Sequence, residues 1–332
     1  MRIDRTGRTL ALSLSMALGV GCAAMDADEG QRAQEAGGQP DQGGETGAGG
    51  AASEDPVAAA ARTPLPIVLL HGAAGFDQIG PLEYFFHVAD DLTEAGHVVF
   101  TTEVDPLQTI DVRAGELAEQ IDAILAETGA ERVHLIGHSQ GGLDARFLIS
   151  SLGYGDRVAS LTTISTPHLG SRVADTALGL IPGPVQDALG FLVDLLVGAV
   201  DGDEQDVIGQ LEQLTEEYAV NTFNPANPDD PRVAYYSVAG VTQTNPFANP
   251  FRNDICDPLL LAGFVILQPT GPNDGLVTVE SATHGIMLGT VPADHLDEVG
   301  QLLGTTSLGY DHEAFYLALA AFLTDPDAPA PL

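Results

Sequence analysis

The stretch Arg132-Val133-His134-Leu135-Ile136-Gly137-His138-Ser139-Gln140-Gly141-Gly142-Leu143 decides the fold. Its first half is an apolar run of strand length, and Gly142 to Ser151 carries apolar residues at helical spacing. Between them stands Gly-x-Ser-x-Gly. A turn that passes this tightly from strand to helix has no room for side chains beside the serine, so glycines flank it at 137 and 141. The strained serine projects its Oγ outward, and the next backbone N–H faces the same space. The pentapeptide alone arises by chance; the strand, the turn and the helix in that order are far more specific.

Working outward, Leu65-Pro66-Ile67-Val68-Leu69-Leu70 is a continuous apolar run ending in His71-Gly72, and Val98-Val99-Phe100-Thr101-Thr102 is a second. Glu83 to Ala95 and Gly115 to Glu127 have helical periodicity. Val158 to Ser165, Val233 to Val241 and Leu276 to Val279 read as further strands, and Glu313 to Leu323 as a closing helix. Strands alternating with helices predict a mostly parallel central sheet with helices on both faces. With the serine turn, this is the pattern of the α/β-hydrolase fold, in which the working groups gather at the carboxyl ends of the strands.

The 332 residues carry 12 basic and 47 acidic side chains, a net charge of −35, and every basic residue is an arginine. So acidic a surface repels phosphate backbones, which excludes nucleic-acid binding as a function class. Residues 1–22 read as an export signal: Arg2, Arg5 and Arg8 precede an apolar segment from Leu10 to Val20. That segment is shorter than the ~20 residues of a spanning helix. Leu18-Gly19-Val20-Gly21-Cys22 resembles a lipobox whose cysteine is acylated, with cleavage after Ala24 as the rival. The expectation is an exported protein, either secreted or anchored at the outer membrane as a lipoprotein. Residues 23–63, rich in Gly, Ala, Gln, Glu and Asp, read as a flexible acidic tether. The folded domain is expected at 64–325, with a loose tail at 326–332. Only Cys256 lies in the body of the chain, so no internal disulfide is expected.

Ser139 needs a base, and the base needs an orienting acid; in this fold the chain order is serine, acid, histidine. His295, in the polar segment Ala293-Asp294-His295-Leu296-Asp297-Glu298-Val299, is the best base, and His312 reads as a helix start. His284 reads as solvated surface, His134 as a satisfied core histidine, and His138 as a packing residue of the turn. For the acid, Asp274 in Asn273-Asp274-Gly275 competes with Asp254 and Asp257.

Taken together, His71-Gly72-Ala73-Ala74-Gly75, Gly137 to Gly142, Ser165-Thr166-Pro167-His168-Leu169-Gly170-Ser171, Asn273 to Val277 and His295 to Val299 resemble the bacterial true lipases. These are secreted, calcium-binding triacylglycerol lipases that often need a dedicated foldase. The resemblance covers nearly the whole domain. It implies Ser139 as nucleophile, Asp274 as acid, His295 as base, and the N–H groups of Ala73 and Gln140 as the oxyanion hole. Members usually carry a larger apolar residue where Ala73 stands, which implies a wider acyl pocket. It also implies a Ca²⁺ site made by Asp257 and Asp297, with main-chain oxygens from Gln301 and Thr305. The family's disulfide is absent, since Glu280 occupies one of its cysteine positions.

Leu178 to Val200 is unusually apolar, at the place where these lipases insert a lid, so a helical lid insertion is expected at about 172–222. The expected substrate is a lipid or ester, and membrane contact would come only through the lipid anchor or the opened lid. Two other readings stand beside it: a short-chain or polyester esterase, and an inactive surface lipoprotein that binds lipid.

Overall fold

Along β1 (Ile67–Leu70) every residue is buried, and successive side chains enter opposite cores. Ile67 and Leu69 pack with Ile136, Tyr236 and Val238 against Val88 and Leu92 of helix α1 (Val88–Glu94) and Tyr316 and Leu319 of α8 (His312–Thr324). Val68 and Leu70 pack with Leu135 and Leu161 against Leu117 and Ile121 of α2 (Ile110–Thr128) and Leu148 of α3 (Gln140–Ser150). A strand covered on both faces has no polar side to show, which is why its sequence is apolar without alternation. This computed structural model describes residues 57, 62–75, 78–79, 82–180, 206–242, 260–301, 303–307 and 309–332. The expected export segment with Cys22, most of the expected tether, residues 181–205 of the expected lid insertion, Asp254 and Asp257 lie outside the described residues.

The central sheet has six strands in the order β4 (Val99–Thr101), β1, β5 (Val133–His138), β6 (Val158–Ile164), β7 (Ala234–Gly240), β8 (Ile286–Val291), and every neighbouring pair is parallel. A separate antiparallel pair joins β2 (Gln78–Ile79) to β3 (Leu82–Glu83). Among the described residues, shorter helices include α4 (Arg172–Ala177), α5 (Val207–Gln213), α6 (Leu261–Leu267) and α7 (Val279–Ala282). No helix among the described residues is long and apolar enough to cross a membrane.

One strand assignment is corrected. Leu276 to Val279 is not a strand, because the Asp274 carboxylate turns the chain there by accepting from the N–H groups of Leu276 and Val277. Thr278 then caps α7 through Ser281 N. The sixth strand is β8, an edge strand that is mostly exposed or half-exposed, whose short apolar start Ile286-Met287-Leu288 is interrupted by Gly289.

Arg62 extends the packed region before residue 64. Its guanidinium lies 4.1 Å over the Phe322 ring and donates to the carbonyls of Phe322, Asp325 and Ala328, capping the end of α8. The mostly exposed segment after Thr324 is thereby held at Ala328.

His134 is a buried histidine on β5 with both ring nitrogens paired, Nδ1 to Ser160 Oγ at 2.7 Å and Nε2 to the Thr63 carbonyl at 2.8 Å. Burial, with Arg132 nearby, lowers its pKa from 6.5 to about 4. A depressed pKa means that the unfolded chain takes up the proton first. The stability that neutral His134 supports is therefore complete above pH 6.5 and is lost as pH falls towards 4. The unfolding free-energy gap between wild type and His134→Gln is expected to narrow by about 2 kcal/mol from pH 7 to pH 5. Urea titrations at the two pH values measure this; an unchanged gap contradicts it.

Candidate active site

Strand β5 ends at His138, and Ser139 follows at φ 54°, ψ −129°, a backbone region that strains any side chain. The closeness of the turn explains its glycines. A Cβ on Gly137 would lie 2.7 Å from Gly142 N, and one on Gly141 would lie 2.6 Å from the Leu70 carbonyl oxygen. The strain is held by the strands around it, since Ser139 N donates to Ile164 O at the end of β6. Ser139 therefore stands at the start of α3, partly open to solvent, with the first N–H groups of that helix beside it.

The loop after β1 lies directly against the serine: a Cβ on Gly72 would be 2.7 Å from Ser139 Cβ and 2.8 Å from the Tyr84 hydroxyl. Among the described residues, the backbone N–H groups of Ala73 and Gln140 make no hydrogen bond. The rest of that loop is fixed. Arg113, fully buried in α2, pairs with Asp144 at 2.8 Å and donates to the carbonyls of His71, Gly72 and Asp105. Ala74 N donates to Pro106 O at 2.7 Å. His71 donates from Nδ1 to Gly72 O and accepts from Val104 N at Nε2; burial, reinforced by Arg113, lowers its pKa to about 4. Burial lifts Asp144 to about 6 in spite of its arginine.

Asp274 and His295 come together. His295 Nδ1 donates to Asp274 Oδ2 at 2.7 Å, and His295 N donates to Asp274 O at 3.0 Å. The other carboxylate oxygen is taken by Leu276 N at 2.8 Å and Val277 N at 2.6 Å, so Asp274, completely buried, has one orientation. The His295 ring sits 4.5 Å from the ring of His138, the residue preceding the serine. Gln140 also binds by its side chain: its amide accepts from Gln210 of α5 at 2.9 Å and donates to Gln108 O.

Of the expected calcium ligands, Asp297 lies on a 3₁₀ turn at Asp297–Val299 and accepts from Ser307 Oγ. Gln301 is buried, with its amide donating to Tyr84 O at 2.9 Å, and Thr305 is exposed. Among the described residues the main-chain oxygens of Gln301 and Thr305 accept no backbone hydrogen bond. Asp257 is outside the described residues.

Two histidine readings change. His284 is not free surface, because it pairs with Asp229 at 2.9 Å and stacks 4.5 Å from the buried His168. His138 does more than pack: Nδ1 meets the Tyr84 hydroxyl at 2.7 Å and Nε2 meets Glu298 at 3.1 Å. Arg113, Tyr84 and Glu298 were not singled out from the sequence. Only Arg113 left a usable sign, since it falls three residues after Ile110 and four before Leu117 on the apolar face of α2.

A parallel sheet ending in such a serine turn defines the α/β-hydrolase class, and the sequence matches that fold family over residues 66–192. It is 38% identical to a triacylglycerol lipase of Vibrio cholerae over 267 residues, covering 74% of this chain and 83% of that one. It is 31% identical to a triacylglycerol lipase of Pseudomonas fragi, covering 72% and 89%. The fold is similar to a Bacillus licheniformis lipase in mature form, at a TM-score of 0.58 and 21% identity over 79% of this chain and 93% of that one. It is also similar to a metagenomic carboxyl esterase, at 0.59 and 19% over 79% and 76%. The chain belongs to the triacylglycerol lipase family. It is a serine ester hydrolase of the lipase or esterase kind.

Proposed function

We propose that the protein hydrolyses acylglycerols through an acyl-serine intermediate, with Ser139 as nucleophile, His295 as base and Asp274 as the orienting acid. The observation that carries this reading is the 2.7 Å His295–Asp274 hydrogen bond beside the serine turn. Ser139 Oγ attacks the ester carbonyl while its proton passes to His295, whose tautomer Asp274 fixes. The developing oxyanion is received by the N–H groups of Ala73 and Gln140, which make no hydrogen bond among the described residues. Collapse breaks the bond to the alcohol, which leaves with the proton from His295. Water, deprotonated by His295, then attacks the acyl carbon; the imidazolium returns that proton to Ser139 Oγ as the acyl–oxygen bond breaks and the acid leaves.

The donor set of Asp297, with Gln301 and Thr305 carbonyls that accept no backbone hydrogen bond among the described residues, is hard oxygen and suits Ca²⁺. With Asp257, these residues would hold the ion, whose charge would fix the loop that follows His295. Export guided by residues 1–22, anchoring through Cys22, a lid at 172–222 and a dedicated foldase belong to the same reading.

Hydrolysis of p-nitrophenyl esters from two to sixteen carbons tests it, with and without a calcium chelator. Activity rising with chain length, and a melting midpoint lowered by chelator, are expected. Activity confined to the shortest esters makes it a short-chain esterase, and a midpoint indifferent to chelator removes the calcium.

A further inference from the structure

We propose that Glu298 is a positioning residue for the hydrolysis: it bridges the loop carrying His295 to the serine turn and, through His138 and Tyr84, to the loop carrying Ala73. The inference rests on the proposed roles of Ser139, His295 and Asp274.

Glu298 is fully buried three residues after His295, and its two carboxyl oxygens reach different strands. Oε1 meets Ser165 Oγ at 2.6 Å, just past the end of β6, and that hydroxyl in turn accepts from Gly240 N at 3.0 Å at the end of β7. Oε2 meets His138 Nε2 at 3.1 Å, and the far nitrogen of that ring meets the Tyr84 hydroxyl at 2.7 Å. The Tyr84 hydroxyl lies against Gly72, next to Ala73, where a Cβ would come within 2.8 Å of it. One polar atom each from His138, His295 and Glu298 falls within 4.8 Å of the others. A single side chain thus connects the proposed base, the residue beside the proposed nucleophile, and the loop over it.

The surroundings fit a hydrogen-bonding bridge rather than an ion pair. Among the described residues no arginine pairs with Glu298, and its charged neighbours are Asp274, Asp294 and Asp297. Space is reserved for it as well. Gly240 has an ordinary backbone conformation, yet a Cβ there would lie 1.8 Å from Glu298 Oε1 and 3.0 Å from Asp274 Cβ. The glycine is required by the carboxyl group that fills its place.

The bridge matters because the acyl-transfer step needs the base, the nucleophile and the oxyanion donors in register, and they come from three separate loops. A displacement of about 1 Å costs on the order of 10²-fold in rate.

The test is kcat and KM on p-nitrophenyl butyrate, expressed per active site by titration with a fluorophosphonate, for wild type, Glu298→Leu and Glu298→Gln, with Ser139→Ala beside them. Glutamine keeps one donor and one acceptor in place. The expected result is a kcat loss on the order of 10²-fold for leucine at little-changed KM, restored to within a few-fold by glutamine. A leucine variant with wild-type kcat overturns the proposal, and so does a glutamine variant as slow as leucine. If the leucine variant does not fold, Ser165→Ala replaces it, with a kcat loss of about 10-fold expected and wild-type kcat contradicting. An active Ser139→Ala would instead overturn the assignment of the nucleophile.

Discussion

Replacing Ser139 with glycine is expected to abolish ester hydrolysis, by on the order of 10⁴-fold or more, while raising stability by about 1 kcal/mol. The two effects share one cause. At φ 54°, ψ −129° the backbone is in a region that only glycine occupies without strain, and the fold holds a serine there because its Oγ must stand clear of the turn. Ser139→Ala removes the same hydroxyl but keeps a Cβ, so it is expected to lose the activity without gaining the stability. Paired denaturation curves of the two variants isolate the strain. Equal stabilities for alanine and glycine would contradict it.

Arg113→Met is expected to cost about 3–5 kcal/mol, because it leaves the Asp144 carboxylate buried without its cation. Adding Asp144→Leu is expected to recover most of that stability. Activity is expected to stay low in both variants, by on the order of 10²-fold in kcat. The reason is geometric. The guanidinium holds the carbonyls of His71 and Gly72, and so fixes the loop that carries the proposed oxyanion donor Ala73. A double variant that regains wild-type kcat would show that Arg113 serves the fold alone.

The parts of the molecule that sequence made legible are those where local geometry demands particular residues. The serine turn, the His71-Gly72 end of β1 and the Asn273-Asp274-Gly275 turn all need glycines or short polar side chains at fixed offsets, and those leave marks. Buried polar contacts between distant segments leave none. Glu298 sits in a polar loop of a chain with 47 acidic residues, so one more glutamate carries no signal until its burial is known. Tyr84 lies in the aromatic run Tyr84-Phe85-Phe86, where the core explains any one of them. Strand β8 is harder to read because Gly289 cuts its apolar run to Ile286-Met287-Leu288, too short to stand out as a strand. Arg113 is the exception, since a charged residue on the apolar face of a regular helix is visible in the spacing.

The most direct test of the central claim is covalent trapping: wild-type protein treated with a fluorophosphonate, followed by intact mass and peptide mapping. One phosphonyl group per chain on Ser139, formed in step with the loss of ester hydrolysis and absent from Ser139→Ala, is the predicted result. A label on another residue, or full hydrolysis by a chain labelled at Ser139, would contradict it.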